Sequence, residues 1–179
     1  VLAEAIQVGH GILKRGGSSQ EAVEKTINIM EDSPLFNAGK GAVLNSNASI
    51  ELDASFMEGK SLGAGAISGV RTVKNPISAA IKVMEASPHV MLSGSGADAF
   101  ANEQGLEIVS PEYFLTERRI NALKEVQKAS SISKTNHKYQ SNDFINQQRY
   151  GTVGCVALDI YGNLAAGTST GGMTCLLYT

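Results

Sequence analysis

The strongest constraint on the fold is a pair of apolar stretches, residues 150–159 and residues 164–169, separated by a short glycine-containing turn. The period-2 alternation of apolar side chains in such stretches predicts two strands of an antiparallel hairpin. A long polar segment precedes the first strand, and Gly151 and Thr152 stand at the junction. Because the start of the first strand and the end of the second lie side by side in a hairpin, Thr152 is predicted to neighbour Thr170.

Thr152 is a candidate nucleophile on chemical grounds. A threonine hydroxyl attacks poorly unless a base takes its proton, and cleavage of the Gly151–Thr152 bond would turn the freed α-amine into that base. The unperturbed pKa of an α-amine is about 7.7–8.0, close to the pH at which a general base works best. A glycine before a strand more often marks only a turn, and threonine is common in strands. Taken alone, this stretch therefore leaves a purely structural interpretation open.

Composition narrows the class of protein. The chain has 179 residues, of which 42% are hydrophobic and 18% charged, values typical of one globular domain. A net charge of −2 argues against a general nucleic-acid or membrane-surface role, and the sequence has no apolar run of about 18 residues that would span a membrane. Cys155 alternates with Val153 and Ala157, which predicts a buried thiol. Without a disulfide or metal spacing, a cytoplasmic location is expected.

The rest of the chain predicts alternating layers of helices and strands. Helical periodicity and capping signals predict helices over residues 1–13, 18–30, 75–85, 94 onward and 116–129. Strands are predicted at residues 43–44, 50–57, 62–70, 90–92, 152–159 and 164–169, with the first two joined as a hairpin. Residues 130–150 are polar and predict a mobile linker. This order of elements predicts an α+β layered domain.

A glycine-rich stretch at Gly94, Gly96 and Ala99 nearly satisfies the dinucleotide-binding fingerprint. One such fingerprint is weak evidence, and the chain lacks the regular strand–helix alternation of a doubly wound sheet. A glycine-rich start of a helix is the favoured interpretation.

Several motifs taken together resemble the plant-type asparaginase and isoaspartyl aminopeptidase family of N-terminal nucleophile hydrolases. The matching stretches stand in the family's order, at residues 33–43, 51–59, 63–70, 75–76, 87–91, 151–159 and 162–173. The resemblance implies a four-layer αββα sandwich in one domain, residues 1–179. Residues 1–151 would form the α-chain part and residues 152–179 the start of the β-chain. It also implies hydrolysis of the side-chain amide of L-asparagine and of β-aspartyl (isoaspartyl) dipeptides, after self-cleavage between Gly151 and Thr152.

The same resemblance implies roles for individual residues. Thr152 matches the family's nucleophile, Thr170 the threonine that hydrogen-bonds it, and Asn37 a loop asparagine near the active site. No organic cofactor is implied, and a structural sodium ion would be held mainly by backbone carbonyls in a loop comprising Met30, Glu31, Ser33, Phe36, Ala38 and Lys40. Carbonyl oxygens suit hard cations, although the residues by themselves predict only a structural loop. Small-molecule substrates and a homodimer of αβ units are also implied.

The sequence departs from the family pattern at both ends. The family has a strand and a His-Gly-Gly turn before its first helix. After Met173 it has an Arg-x-Gly-Asp segment that binds the substrate and a Thr-Gly pair that forms the oxyanion hole. We expect the chain to be truncated relative to the family and inactive on L-asparagine by itself, and the substrate-binding residues stay unknown. Two alternatives remain: a non-catalytic remnant, and a glycosylasparaginase-like amidase. Gly151 stands where that second group usually has Asp.

Overall fold

The computed structural model describes residues 1–133 and 151–174, which form helices on one five-stranded sheet. The helices are α1 (Leu2–Lys14), α2 (Ser19–Glu31), α3 (Pro76–Ala86), α4 (Gly94–Glu103) and α5 (Glu117–Ser133), with 3-10 turns at Gly39–Gly41 and Pro111–Phe114. The strands are β1 (Leu52–Glu58), β2 (Ala64–Val70), β3 (Met91–Ser93), β4 (Val153–Leu158) and β5 (Leu164–Thr170). The predicted α+β class is confirmed.

The sheet is mixed, with strand order β3-β2-β1-β5-β4. Only β2 and β3 run parallel in this order; the β2–β1, β1–β5 and β5–β4 pairs are antiparallel. Strand β5 therefore lies between β1 and β4. Its register pairs Asp53 with Thr170 on one side and Val153 with Ser169 on the other.

Helices α2 and α3 pack on one face of the sheet, and α1 packs on α2. The covered face contributes apolar side chains to the core, among them Leu52, Phe56 and Ile67. The opposite face exposes Val156 and Leu158 on β4, which are 73% and 57% accessible. The described residues thus form a helical layer and a single sheet, which corresponds to part of the expected αββα sandwich.

The predicted start of α2 is confirmed in detail. The Ser18 hydroxyl accepts a hydrogen bond from the Glu21 amide at 3.1 Å, as expected of a capping serine. The turn between β4 and β5 adds a second contact, because an Asp159 carboxylate oxygen accepts from the Ser19 amide at 3.2 Å. This bond fixes the hairpin against the helix that covers it.

The predicted hairpin between residues 43–44 and residues 50–57 is wrong. Val43 and Leu44 are buried but lie outside any strand. The reason is that the Val43 amide donates to the side chain of Asn37 at 2.9 Å instead of to a strand. Asn45 then accepts from the amides of Asn47 and Ser49, each at 3.0 Å, and closes a local turn.

Two further expectations need correction. The linker predicted over residues 130–150 starts too early, because α5 continues to Ser133. No glycine or proline interrupts the helix there, and each added residue gains a backbone hydrogen bond. The rest of that segment lies outside the described residues. Cys155 faces the core as predicted but is only half-buried, since β4 is an edge strand.

Gly65 offers a sharp test of the helix–sheet packing. A Cβ atom there would lie 2.1 Å from the Ala80 carbonyl oxygen of α3, so Gly65→Ala must push α3 away from the sheet. We expect it to lower the free energy of unfolding by about 1–3 kcal/mol. Gly96→Ala is the matched control, because Gly96 lies within α4 with open space around it. It should raise stability by about 0.5–1 kcal/mol. Urea unfolding followed by circular dichroism measures the unfolding free energy of both variants. Equal changes for Gly65→Ala and Gly96→Ala would contradict the close packing of α3 on β2.

Candidate active site

The two threonines singled out by the sequence are in contact at the open end of the β4–β5 hairpin. Thr152 Oγ1 and Thr170 Oγ1 are hydrogen-bonded at 2.9 Å. Thr170 ends β5 and Thr152 directly precedes β4, so the antiparallel register brings residues 18 positions apart to the same place. The Thr152 side chain is exposed to solvent. The hydroxyl is therefore accessible while its direction is fixed by its neighbour.

The two sides of Thr152 have different surroundings in the part of the chain that the structure describes. Apart from its neighbours in the chain, no described atom lies within 4 Å of the position that a Cβ on Gly151 would occupy. On the other side, Thr170 Oγ1 also accepts from the Gly172 amide at 3.2 Å. That bond anchors the acceptor of the Thr152 hydroxyl to the chain that follows β5.

Asn37 connects a loop to the end of β5. Its side-chain Nδ2 donates to the Gly172 carbonyl at 2.7 Å, and its backbone carbonyl accepts from the Gly171 amide at 3.1 Å. A Cβ at Gly171 would lie 2.5 Å from the Ala42 side chain, so this close approach requires glycine. Asn37 is buried, with 5% of its surface accessible. It thus holds the segment just beyond Thr170, near the threonine pair as the resemblance implies.

Glu31 lies beneath the same region as a fully buried acid. Its carboxylate accepts from the Ile77 amide at 3.0 Å and from Asn75 Nδ2 at 3.2 Å, at the start of α3. Burial raises the pKa of Glu31 to about 8, against the lowering effect of the nearby Ser169 hydroxyl, the Ile77 amide and Asn75. Ser169 Oγ is fully buried and makes no well-formed hydrogen bond with the described residues. Glu31 therefore joins α2 to the start of α3, and its burial favours the neutral form of the carboxyl group.

The predicted sodium loop coils tightly. A Cβ at Gly39 would lie 2.4 Å from the Glu31 carbonyl oxygen, and a Cβ at Gly41 would lie 2.0 Å from the Phe36 carbonyl oxygen. Arg119 Nε donates to the Gly41 carbonyl at 2.7 Å and holds the loop from α5. The two glycines thus let carbonyl-bearing backbone fold back on itself, which fits the donor set expected for a hard cation.

Side-chain ligands do not provide an alternative metal site in the part of the chain that the structure describes. Residues 1–133 and 151–174 contain no group of three or more His, Cys, Asp or Glu side chains placed to hold a metal ion.

None of the helices in these ranges combines the length and apolar character that a membrane span requires.

Comparison with known proteins identifies the family. A family model described as Asparaginase matches residues 1–178. The chain belongs to the asparaginase family. It is 46% identical over 173 residues to the isoaspartyl peptidase of Escherichia coli (strain K12), which covers 97% of this chain and 53% of that protein.

Mammalian members of the asparaginase family are similar to a comparable degree. The isoaspartyl peptidase/L-asparaginase of Mus musculus is 46% identical over 172 residues, covering 96% of this chain and 50% of the mouse protein. The human protein of the same description is 44% identical over 172 residues, and the match covers 96% of this chain and 53% of the human protein. The chain thus spans about half the length of the curated relatives it matches.

The sequence indicated Thr152 and Thr170 directly, but it missed the side chain of Glu31. The resemblance suggested only the Glu31 backbone carbonyl as a sodium ligand. An acidic residue at the end of a helix is usually exposed, and no local pattern shows that Ile77, on another helix, provides its hydrogen-bond donor. The Glu31–Asn75 contact joins residues 44 positions apart. Only the folded chain reveals this part of the site.

Substitutions at Glu31 test whether its carboxyl group is neutral in the fold. Glu31→Gln keeps the size and an acceptor for the Ile77 amide, so we expect a loss of unfolding free energy of about 1 kcal/mol or less at pH 7. Glu31→Ala leaves a cavity and strands the donors of Ile77 and Asn75, and should cost about 3–5 kcal/mol. Urea unfolding at pH 7 measures both. Equal losses of unfolding free energy in Glu31→Gln and Glu31→Ala would show that Glu31 stabilises the fold through a negative charge and not through its packing and hydrogen bonds.

Proposed function

We propose that the full-length protein cleaves itself between Gly151 and Thr152 and then uses Thr152 to hydrolyse β-aspartyl amide bonds. The substrate class comprises isoaspartyl dipeptides and L-asparagine. The 2.9 Å hydrogen bond between Thr152 and Thr170 is the observation on which this proposal rests. Membership of the asparaginase family and the names of the relatives, isoaspartyl peptidase and L-asparaginase, support it.

Self-cleavage requires the Thr152 hydroxyl to reach the carbonyl carbon of Gly151. Attack by Oγ1 forms an ester bond between Gly151 and the Thr152 side chain while the peptide bond breaks and its nitrogen becomes the α-amine of Thr152. Water then hydrolyses the ester and leaves a carboxylate on Gly151. Glycine at position 151 gives the backbone there more accessible φ and ψ angles than another residue would, which lets its carbonyl turn toward the hydroxyl. Thr170 orients the Thr152 hydroxyl for this step.

The freed α-amine then becomes the general base for the second reaction. Thr152 Oγ1 attacks the amide carbonyl of the substrate, the amine takes the hydroxyl proton, and the leaving ammonia or amino acid receives it. Water hydrolyses the resulting ester and restores the threonine. Thr170, anchored by the Gly172 amide, keeps the hydroxyl aligned in both reactions, and Asn37 holds the segment that contains Gly172.

A sodium ion held by the carbonyls of the loop from Met30 to Lys40 would stabilise the position of Asn37 and take no part in bond breaking. The support for it is the tight coil that Gly39 and Gly41 permit. The homodimer of αβ units, the division of residues 1–179 into two chains and the cytoplasmic location stay predictions.

Replacement of Thr152 tests the nucleophile. Thr152→Ala should abolish both self-cleavage and hydrolysis of a β-aspartyl dipeptide, because one hydroxyl serves both steps. Thr152→Ser should keep measurable activity, since the hydroxyl and the future amine both survive. Mass spectrometry of the full-length protein follows cleavage, and amino-acid release from the dipeptide follows turnover. Hydrolysis by Thr152→Ala above background would contradict the assignment. Turnover of a glycosylated asparagine in preference to the dipeptide would instead favour a glycosylasparaginase-like activity.

Replacement of Thr170 tests the orienting role. Thr170→Ala removes the acceptor of the Thr152 hydroxyl and should slow cleavage by about 10-fold, the value of one hydrogen bond of about 1.4 kcal/mol. The loss of thermal stability should be small because Thr170 is only half-buried. Cleavage rates are measured per folded molecule, with the melting temperature as control. A strongly destabilised variant whose folded fraction cleaves at the normal rate would mean that Thr170 is merely structural.

A further inference from the structure

Helix α5 buries a basic side chain against the loop that leads to the threonine pair. Over residues 117–128, the buried side chains of α5 are those of Arg119 and Leu123, which lie four positions apart and therefore on the same face of the helix. Leu123 is apolar and belongs to the core. Arg119 has only 5% of its surface accessible, although arginine is almost never fully buried unless it is paired. The contacts of its guanidinium group therefore need an explanation.

Among residues 1–133 and 151–174, the guanidinium group of Arg119 bonds to a backbone carbonyl but leaves a buried nitrogen without a partner. Nε donates to the Gly41 carbonyl at 2.7 Å, whereas Nη2 makes no hydrogen bond in these ranges. Burial, together with the charge of Arg118, lowers the pKa of Arg119 to about 10, so the group is charged at pH 7. A buried charge that is incompletely paired costs stability. Stabilisation of the fold therefore does not by itself account for an arginine at this position.

The residue that Arg119 holds is connected to Thr170 by direct packing. Gly41 precedes Ala42, and a Cβ on Gly171 would lie 2.5 Å from the Ala42 side chain, so the two backbones are in close contact. Gly171 precedes Gly172, whose amide donates to Thr170 Oγ1 at 3.2 Å. A shift of Gly41 would therefore move the backbone that anchors the Thr170 hydroxyl.

A second route between the same two places consists of hydrogen bonds. Val43, two positions beyond Gly41, donates its amide proton to Asn37 Oδ1 at 2.9 Å. Asn37 Nδ2 in turn donates to the Gly172 carbonyl at 2.7 Å. The packing route and the hydrogen-bonded route both end at Gly172, so the position of this residue depends on the loop that Arg119 holds.

We propose that Arg119 is a positioning residue, which fixes the Gly41 carbonyl and thereby sets the place of Gly172. Gly172 anchors Thr170, and Thr170 accepts the hydrogen bond of the Thr152 hydroxyl. The inference rests on the proposed function, because it assumes that Thr152 is the nucleophile. Departures from ordinary packing rules are expected where a residue serves function, which explains why the cost of a buried guanidinium is tolerated.

Two substitutions of Arg119 in the full-length protein separate its hydrogen bond from its charge. Arg119→Met places a methyl group where Nε stands, so the Gly41 carbonyl loses its donor. Arg119→Gln places an NH2 group at the same point along the side chain and keeps a neutral donor. We expect self-cleavage by Arg119→Met to slow by about 3- to 10-fold, within the range found for substitutions along a contact network. Arg119→Gln should restore the rate to within about twofold of the unmodified protein.

Lys124→Met is the matched control, because it removes a basic side chain from an exposed position of the same helix. It should cleave at the unmodified rate. Mass spectrometry measures cleavage, and each rate is divided by the folded fraction obtained from circular dichroism. Equal slowing in Arg119→Met and Arg119→Gln would overturn the inference, since the charge and not the bond to Gly41 would then matter. An Arg119→Met protein that cleaves like Lys124→Met would overturn it as well.

A double-mutant comparison tests whether Arg119 acts through Thr170. Thr170→Ala removes the hydroxyl that Gly172 anchors, so Arg119→Met should add no further slowing in that background. Slowing that multiplies in the double variant would contradict the proposed route. Failure of the unmodified protein to cleave would instead contradict the proposed function and not the role of Arg119 alone.

NMR decides the matter if Arg119→Met does not fold. The Gly172 amide is observed in protein labelled with nitrogen-15 glycine and held unprocessed by Thr152→Ala. Arg119→Lys keeps the charge but has a carbon atom where Nε stands, so the Gly172 signal should move in this variant and stay in place in Arg119→Gln. The Gly96 signal, from α4, should stay in place in both. A Gly172 signal that is unchanged in Arg119→Lys would show that Arg119 does not position this segment.

Discussion

The register of β5 between β1 and β4 is the constraint on which the site depends. It brings Thr170 beside Thr152, although the two threonines lie 18 positions apart in the sequence. A slip of one residue would turn every β5 side chain to the opposite face, and Thr170 would then point into the core. Two contacts oppose such a slip. Helix side chains fill the space above Gly167, where a Cβ would lie 2.9 Å from Ile77, and the Asp159 carboxylate binds the start of α2.

Polar groups beneath the site give this end of the sheet its rigidity. Glu31 and Asn37 are both buried, and a buried polar group is costly unless its partners stay in place. Each of them bonds to a different element, Glu31 to the start of α3 and Asn37 to the segment after β5. A shift of any of these elements would break bonds that water cannot replace there. The loop, the two helices and the end of β5 are therefore held as one unit.

Local signals in the sequence predicted the frame of the molecule, and non-local contacts explain where they failed. The capping serine of α2, the period-2 strands of the β4–β5 hairpin and the proximity of Thr152 to Thr170 follow from short-range rules. Val43 was assigned to a strand because an apolar residue beside a polar turn fits one. Its amide instead bonds to Asn37, a partner that no spacing rule identifies. Asn37 was noted only through the family resemblance, since its bond to Gly172 spans 135 positions.

The choice of threonine at position 152 follows from unequal demands on its two sides. A β-branched side chain has few χ1 rotamers, so the strand that begins at Val153 also determines where the Thr152 hydroxyl points. Serine would supply the same hydroxyl with more rotational freedom and hold it less firmly against Thr170. In the proposed self-cleavage the preceding peptide needs the opposite property, because its carbonyl would have to turn toward that hydroxyl, and glycine has the backbone freedom that this turn requires. A stiff residue after a permissive one would thus combine a fixed nucleophile with a movable target in that reaction.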